Sequence, residues 1–244
     1  MPEHSIKVSQ LLDQIHGCND AQIDRNSCEV PVHKAIVCPL KKLRLDAKKD
    51  GIEIHIASGY RDFDRQLCIW NEKAAGVRPV FDDAQQLVDL SEYEPWEQVQ
   101  AILRWSALPG ASRHHWGTDI DVYDRSAIDE TYSLQLSAEE YTEHGPFSRM
   151  TKWLDDRIGH GEAHGFFRPY INSNGGVAPE PWHLSYAPES VGYQKHLTNE
   201  GLAEFLTDKP IALKNVVLGH LPEIYDRYVI VNRNRYPELY RRFL

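Results

Sequence analysis

Two histidines and two aspartates stand close together in the segment GASRHHWGTDIDVYD, residues 110–124. Asp121 follows His114 by seven residues, and Gly117 between them allows the chain to fold tightly. Imidazole and carboxylate groups are typical ligands of a catalytic zinc ion, which commonly takes three protein ligands and one water molecule. The segment therefore predicts two of the three protein ligands of a zinc site.

The segment EPWHLSY supplies a third ligand and a base. His183 begins the polar face of a predicted strand, and Glu180 precedes it by three residues in a proline-containing turn. A carboxylate there can accept a proton from zinc-bound water, whose pKa the metal lowers to about 7. We therefore predict His183 as the third ligand and Glu180 as the general base.

An arginine completes the candidate chemistry. Arg61, in the segment SGYR, lies just past the end of a predicted strand and at the start of a helix. Its guanidinium can bind a carboxylate through two hydrogen bonds, or stabilise the negative charge on an attacked carbonyl. Gln66 lies further along the same helix and is expected to reach the same pocket. Together these groups describe a peptidase that acts near a free carboxylate.

One ligand assignment stays open at this stage. Asp119 lies two residues before Asp121 on the same face of the predicted strand, because side chains alternate along a strand. Asp119 is therefore either a rival ligand or a partner that orients a metal-binding histidine.

The elements around these residues predict an α+β fold. Residues 52–58, 118–123 and 182–186 alternate between apolar and polar side chains, which predicts half-buried strands. Helical spacing is found in SIKVSQLLDQI, KAIVCPLKKLRLDAKKDG and FSRMTKWLDDRIGHGEAHG, and a further helix is predicted after SGYR. Strands and helices do not alternate regularly, so we expect a small antiparallel sheet that carries the zinc site and is flanked by helices.

The chain is expected to divide into two parts. Residues 1–188 form the predicted peptidase domain, and residues 189–244 form a helical C-terminal extension packed on it. Residues 77–109 are acidic and polar and are predicted to be an insertion, in which DDAQQLVDL and EPWEQVQAILRW form helices. Since this insertion lies near the site in sequence, differences in substrate choice are expected there.

Composition excludes several classes of protein. The chain has 244 residues, of which 41% are hydrophobic and 26% charged, so a normal folded core is expected. A net charge of −9 disfavours general binding to nucleic acid, which needs a basic surface. The sequence contains no run of about 20 apolar residues, so no membrane-spanning helix is predicted. The N-terminus does not resemble a signal peptide, so we expect a cytoplasmic protein, or a periplasmic one if a leader has been removed.

The cysteines are few and far apart. Cys18, Cys28, Cys38 and Cys68 form no Cys-x-x-Cys pair, so buried free thiols are expected rather than a disulfide framework. No cysteine lies near either histidine motif, which disfavours a purely structural zinc site with four protein ligands.

The segments SGYRDFDRQ, SRHHWGTDID and EPWH, in that order, resemble the zinc D-alanyl-D-alanine carboxypeptidases and dipeptidases, including the vancomycin-resistance D,D-peptidases. These share a fold with lysostaphin-type peptidases and the hedgehog signalling domain. The resemblance spans residues 58–186, roughly half of the chain. The family pattern Ser-x-His-x-x-Gly-x-x-x-Asp, then Glu-x-x-His, falls on Ser112, His114, Gly117, Asp121, Glu180 and His183.

The resemblance implies a role for each matched position. One zinc ion per chain would be bound by His114, Asp121 and His183, with Glu180 as the catalytic base. Arg61 would hold the substrate or the oxyanion of the transition state, and Gln66 and Ser112 would contribute to substrate binding. Asp119 departs from the family, which usually has a small residue at that position.

The implied activity is removal of a C-terminal residue, D-alanine, from a peptide or peptidoglycan fragment. Three alternatives remain: a D,D-dipeptidase, a cell-wall endopeptidase, and a non-catalytic zinc-binding module such as the hedgehog relative. The last has no need of Glu180 or Arg61, both of which are present. The sequence leaves the oligomeric state open.

Overall fold

A computed structural model describes residues 2–172 and 175–244. The helices are α1 (Pro2–Ile15), α2 (Val37–Lys49), α3 (Phe63–Ala74), α4 (Pro95–Trp105), α5 (Ala138–Tyr141), α6 (Ser148–Gly159), α7 (Ala187–His196), α8 (Asn199–Thr207), α9 (Lys214–Gly219), α10 (Leu221–Ile224) and α11 (Glu238–Arg241). The strands are β1 (Ile23–Asp24), β2 (Val32–His33), β3 (Ile54–Ser58), β4 (Val80–Phe81), β5 (Leu87–Val88), β6 (Asp119–Asp124), β7 (Phe166–Phe167) and β8 (His183–Tyr186). Mixed helices and small antiparallel sheets confirm the predicted α+β class.

The central sheet has four antiparallel strands in the order β3-β6-β8-β7. Asp121 on β6 lies directly opposite His183 on β8 and opposite Ser58 on β3. Directly opposed residues of an antiparallel pair have Cβ atoms about 4.5–5.5 Å apart. The register of β6 and β8 therefore places two of the predicted ligands side by side.

The two faces of the sheet have different chemistry, and both are covered. The apolar face packs against α2 and α6 through Ile54, Ile56, Ile120, Val122, Leu184, Leu40, Leu43, Met150 and Leu154. The opposite face carries polar side chains, and yet β6 is buried along nearly its whole length. The prediction of half-buried strands was wrong for β6 and β8, because the polar face is covered. Arg113 bonds to Asp119 of β6, and Ser190 of helix α7 bonds to Ser185 of β8.

A second hydrophobic core joins the C-terminal extension, residues 189–244 and here called the tail, to the rest of the chain. Helices α8, α9 and α10 pack with α1, α3 and α4 around Trp70 and Trp116, which are almost completely buried. The indole N–H of Trp70 donates a hydrogen bond to the carbonyl of Ala212 at 3.0 Å. Residues 189–244 thus contain helices that pack on the rest of the chain, and the division into two parts at residue 188 stays a prediction.

The insertion at residues 77–109 differs from expectation in its first half. The segment EPWEQVQAILRW forms α4, as predicted. The segment DDAQQLVDL was wrongly predicted as a helix, and instead contains the turn and second strand of the hairpin β4–β5. The carboxylate of Asp82 accepts hydrogen bonds from the backbone N–H groups of Ala84 and Gln86. Such local bonds compete with helix formation, and here they fix the turn.

The prediction of buried thiols was also wrong. Cys18, Cys38 and Cys68 are exposed and Cys28 is partly buried, all as free cysteines. Cys38 lies on the exposed side of the amphipathic helix α2, whose buried side passes through Leu40 instead.

Within the described ranges, no helix is both long and apolar enough to cross a bilayer.

Candidate active site

His114 lies in a 3-10 turn, Arg113–Trp116, directly before β6. Its Nδ1 donates a hydrogen bond to the carbonyl oxygen of Gly59 at 2.9 Å. The other ring nitrogen, Nε2, therefore keeps its lone pair and lies 3.5 Å from Oδ2 of Asp121. Burial keeps the pKa of His114 well below the ordinary 6.5. His114 thus presents a neutral imidazole nitrogen, the form that binds metal ions.

His114, Asp121 and His183 bring their ligand atoms within 4.8 Å of one another. Nδ1 of His183 lies 3.6 Å from Oδ1 of Asp121, and the two imidazole rings are 5.0 Å apart between centroids. In a tetrahedral zinc site with bonds of about 2.0–2.1 Å, neighbouring ligand atoms are about 3.3 Å apart. The three side chains are therefore spaced closely enough to share one ion.

The environment of Asp121 also fits a cation. Its side chain is buried, and Oδ1 has no hydrogen-bond partner among the described residues. Burial raises the pKa of Asp121 to about 7, because a carboxylate in a low-dielectric site is costly unless a cation stabilises it. Two imidazoles and one carboxylate form a donor set suited to zinc. The residues present therefore fit a divalent metal ion.

Glu180 lies in the turn before β8, next to the candidate ligands. Its Oε2 is 2.9 Å from Nδ1 of His183, and its side chain is 15% exposed. The backbone N–H of Glu180 donates to the carbonyl of Tyr170 at 2.8 Å, which holds the turn in place. The carboxylate thus borders a cleft next to the candidate ligands, which Arg61 and His114 also line. There it can exchange a proton with a water molecule.

His183 is hydrogen-bonded on both sides of its ring. Nε2 lies 3.0 Å from Oδ1 of Asp119, on the side away from Glu180. Burial alone would lower the pKa of His183, but the hydrogen bonds to Asp119 and Glu180 outweigh it and raise the pKa to about 10. Asp119 is fully buried behind the ring and lies outside the group of converging ligand atoms. The geometry favours orientation of His183 over metal ligation for Asp119.

Arg61 reaches the cleft from the turn between β3 and α3. Its backbone N–H donates to the carbonyl of His114 at 3.1 Å. The guanidinium donates to Oε1 of Gln66 at 2.8 Å and to Oγ of Ser58 at 3.2 Å. Both side-chain partners are neutral, so the positive charge remains available to an anion in the cleft.

Gln66 and Ser112, both expected to bind substrate, differ in position. Gln66 is completely buried: its amide nitrogen donates to the carbonyl of Ala107 at 2.7 Å, and its oxygen accepts from Arg61. Because both ends of this amide are occupied, Gln66 supports Arg61 from behind and does not line the cleft as expected. Ser112 does line it, and its buried Oγ has no hydrogen-bond partner in the described part of the chain.

The cleft has a volume of about 480 Å³ and borders Arg61, His114 and Glu180. The insertion contributes to its wall through Phe81, Gln85, Leu103 and Trp105, and the tail contributes Tyr228. Segments outside the sequence motifs therefore shape the space next to the candidate metal centre.

Two residues of the site were missed by sequence reasoning. Arg113 is 2% exposed and pairs with Asp119, with 2.8 Å between Nε and Oδ1. Tyr170 lines the cleft and packs edge-on against His183, with 5.1 Å between ring centroids. Arg113 stands inside the histidine motif, but only tertiary packing buries it. Tyr170 follows β7 outside every motif, so no local signal was available.

Comparison with known proteins identifies the family of the chain. The VanY family model, described as D-alanyl-D-alanine carboxypeptidase, matches residues 29–189, well over half of the chain. The chain belongs to the VanY D-alanyl-D-alanine carboxypeptidase family. The resemblance seen in the motifs is thereby confirmed. The VanY match covers the whole central sheet and ends at the start of α7, so nearly all of the helical tail lies beyond it.

Relatives of this VanY family member differ in length. An uncharacterised protein of Haemophilus influenzae is 32% identical over 125 residues, 50% of this chain and 93% of the relative. A D-alanyl-D-alanine carboxypeptidase of Enterococcus faecalis is 27% identical over 143 residues, 57% of this chain and 42% of that protein. The chain therefore spans less than half the length of this carboxypeptidase. A solved structure of vancomycin resistance D,D-pentapeptidase VanY with Zn(II) has a TM-score of 0.49 at 22% identity, covering 81% of this chain and 90% of that one.

Proposed function

We propose that this chain is a zinc-dependent carboxypeptidase that removes the terminal D-alanine from peptidoglycan-type stem peptides. The observation that carries the proposal is the convergence of His114, Asp121 and His183 at ligand spacing. A carboxylate and a guanidinium border the same cleft, from Glu180 and Arg61. Membership of the D-alanyl-D-alanine carboxypeptidase family supports both the reaction and the substrate.

Each group has a distinct task in this proposal. A zinc ion held by the three ligands would supply a water of lowered pKa and polarise the substrate carbonyl. Glu180 takes the proton of the attacking water on its carboxylate and transfers it to the departing amine. Arg61 stabilises negative charge on the substrate, either on the attacked carbonyl oxygen or on the C-terminal carboxylate.

The test combines metal analysis with a hydrolysis assay on the full chain. We expect one zinc ion per chain, and chelator-sensitive release of D-alanine from a stem peptide that ends in D-Ala-D-Ala. A protein that takes up no metal even after zinc is added would contradict the metal site. Zinc binding without release would contradict the carboxypeptidase assignment, and activity on the free dipeptide alone would indicate a D,D-dipeptidase.

Two variants separate the base from the ligands. Glu180→Gln keeps the size of the side chain but cannot accept the proton, so we expect normal zinc content and turnover lower by about 10²–10⁴-fold. His183→Ala removes a ligand and should lose both zinc and turnover. Undiminished hydrolysis by Glu180→Gln would exclude Glu180 as the base.

A further inference from the structure

A buried hydrogen-bond chain connects His183 to the C-terminal tail. We propose that Asp119, Arg113 and Tyr236 form a positioning device that holds the His183 imidazole with Nε2 protonated and Nδ1 directed at the metal. Metal affinity then depends on a tail residue that the family match does not include. This inference rests on the proposed metal site, and it makes Asp119 and Arg113 positioning residues rather than catalytic ones.

The first link is between Asp119 and His183. Oδ1 of Asp119 lies 3.0 Å from Nε2 of His183, and an ionised carboxylate can only accept, so Nε2 must carry the proton. Oδ2 accepts hydrogen bonds from Oγ1 of Thr118 at 2.8 Å and from Oγ of Ser185 at 3.1 Å. With Asp119 held in this way, the neutral ring of His183 that binds a metal ion has one preferred tautomer and orientation. Metal-binding histidines commonly donate their second N–H to such a carboxylate.

The second link is a buried arginine. Nε of Arg113 donates to Oδ1 of Asp119 at 2.8 Å, and Nη2 donates to Oγ of Ser185 at 2.6 Å. The side chains of Arg113 and Asp119 are 1% and 0% exposed, so water cannot replace either charge. The guanidinium also lies 4.5 Å from the ring centroid of Trp116. Each charge therefore depends on the other for its position.

The third link reaches the tail. Nη1 of Arg113 donates to the hydroxyl of Tyr236 at 3.2 Å and to Oε1 of Gln194 at 3.0 Å. Tyr236 is fully buried, packs on Phe167 with 4.6 Å between ring centroids, and donates its own hydroxyl proton to Gln194 at 3.1 Å. Gln194 is fixed in turn by the backbone of Val231, whose carbonyl accepts at 2.8 Å and whose N–H donates at 3.2 Å. Tyr236, Gln194 and Val231 all lie beyond residue 189, so the tail supplies this anchor.

The experiment measures zinc affinity by competition with a chromophoric chelator. It uses two variants, one at each end of the series of hydrogen bonds that runs from Asp119 to Tyr236. Asp119→Asn removes the charge that holds His183 and should weaken zinc binding about 10–100-fold. Tyr236→Phe removes one hydroxyl and keeps the ring, and it should weaken zinc binding in the same direction by a smaller factor. Tyr240→Phe is the matched control, since Tyr240 packs in the same apolar cluster without belonging to the chain of bonds.

A spectroscopic readout separates positioning from general destabilisation. The visible spectrum of the Co(II)-substituted protein reports ligand geometry, and it should change in Asp119→Asn and stay unchanged in Tyr240→Phe. Wild-type zinc affinity and Co(II) spectra in both Asp119→Asn and Tyr236→Phe would overturn the inference. If Asp119→Asn does not fold, Tyr236→Phe decides: an affinity equal to wild type overturns the inference. A wild-type chain that binds no zinc would instead refute the proposed function, so the two failures are distinct.

Discussion

Gly117 separates His114 from Asp121, and its replacement by alanine should damage the fold and the metal site together. Its φ of +68° lies in the left-handed region, which costs other residues about 1–2 kcal/mol. A Cβ atom built on Gly117 would lie 2.6 Å from Cδ1 of Ile23 and 2.9 Å from the backbone nitrogen of His33. The Ile23 side chain can rotate away, but the backbone of His33 cannot, because its N–H donates to the carbonyl of Gly117 at 2.8 Å.

The two costs add to a large fraction of the stability of a domain. Forcing extra volume into a packed region typically costs about 1–3 kcal/mol. With the backbone cost, Gly117→Ala should lower the free energy of unfolding by roughly 2–5 kcal/mol, against a total of about 5–15 kcal/mol. Displacement of the turn should also weaken zinc binding, since ligands lie on both sides of it.

Urea unfolding followed by circular dichroism, in the presence of a chelator, measures the free energy of unfolding without a contribution from metal. Gly76→Ala is the matched control, because its φ is +69° and no heavy atom of the described residues lies within 4 Å of the added Cβ. Gly76→Ala should therefore show the backbone cost alone. Equal losses in the two variants would refute the argument that contact with His33 constrains Gly117.

Three further predictions follow from the site and its surroundings. Arg61→Ala should reduce kcat/KM more for peptides with a free C-terminal carboxylate than for their amides, because the guanidinium borders the cleft with only neutral side-chain partners. Zinc at about a thousandfold excess over its Kd should raise the free energy of unfolding by about 4 kcal/mol, seen as a chelator-reversible rise in Tm. Burial lowers the pKa of His33 to about 4, so the unfolded chain binds a proton near pH 6.5 that the native chain does not. Titration of His33 should therefore lower the free energy of unfolding, by at most roughly 3 kcal/mol, as the pH is lowered from about 6.5 to about 4.

Each of these predictions has a control or a contrary outcome. Equal losses on free and amidated peptides would assign Arg61 to the oxyanion. A Tm that ignores both zinc and chelator would contradict binding to the folded state. Nδ1 of His33 accepts a hydrogen bond from the N–H of Ala35, a cap that asparagine can also supply. His33→Asn should therefore show a flatter dependence of stability on pH, and an unchanged slope would exclude His33 as its source.

The candidate ligands were predictable because their signals are local. Strand alternation places Asp121 on the polar face of β6 and His183 on that of β8, and the order of the motifs links the two. Gln66 shows where local reasoning ends: the helix position was right, but contact with Ala107 turned its amide away from the cleft. Arg113 and Asp119 lie only six residues apart, but the pair is buried by contacts of Arg113 with Ser185, Gln194 and Tyr236. Those contacts come from distant segments, so no local spacing in the sequence encodes them.

The prediction of a helix where the hairpin β4–β5 forms was wrong for a different reason. In DDAQQLVDL the apolar residues fit a helical spacing, but Asp82 satisfies two backbone N–H groups through its side chain. Propensity and periodicity describe competing states of nearly equal free energy in so short a segment, and the side-chain bonds decide between them.

Because Asp121 and His183 lie directly opposite each other, the candidate metal centre depends on the register of β6 and β8. A slip of β8 by one residue relative to β6 would turn every side chain of β8 to the other face. His183 would then enter the apolar core and Leu184 would enter the cleft. Metal binding would consequently stabilise only the sheet with the correct register of β6 and β8. A bound ion would therefore disfavour incorrect pairing of the two strands.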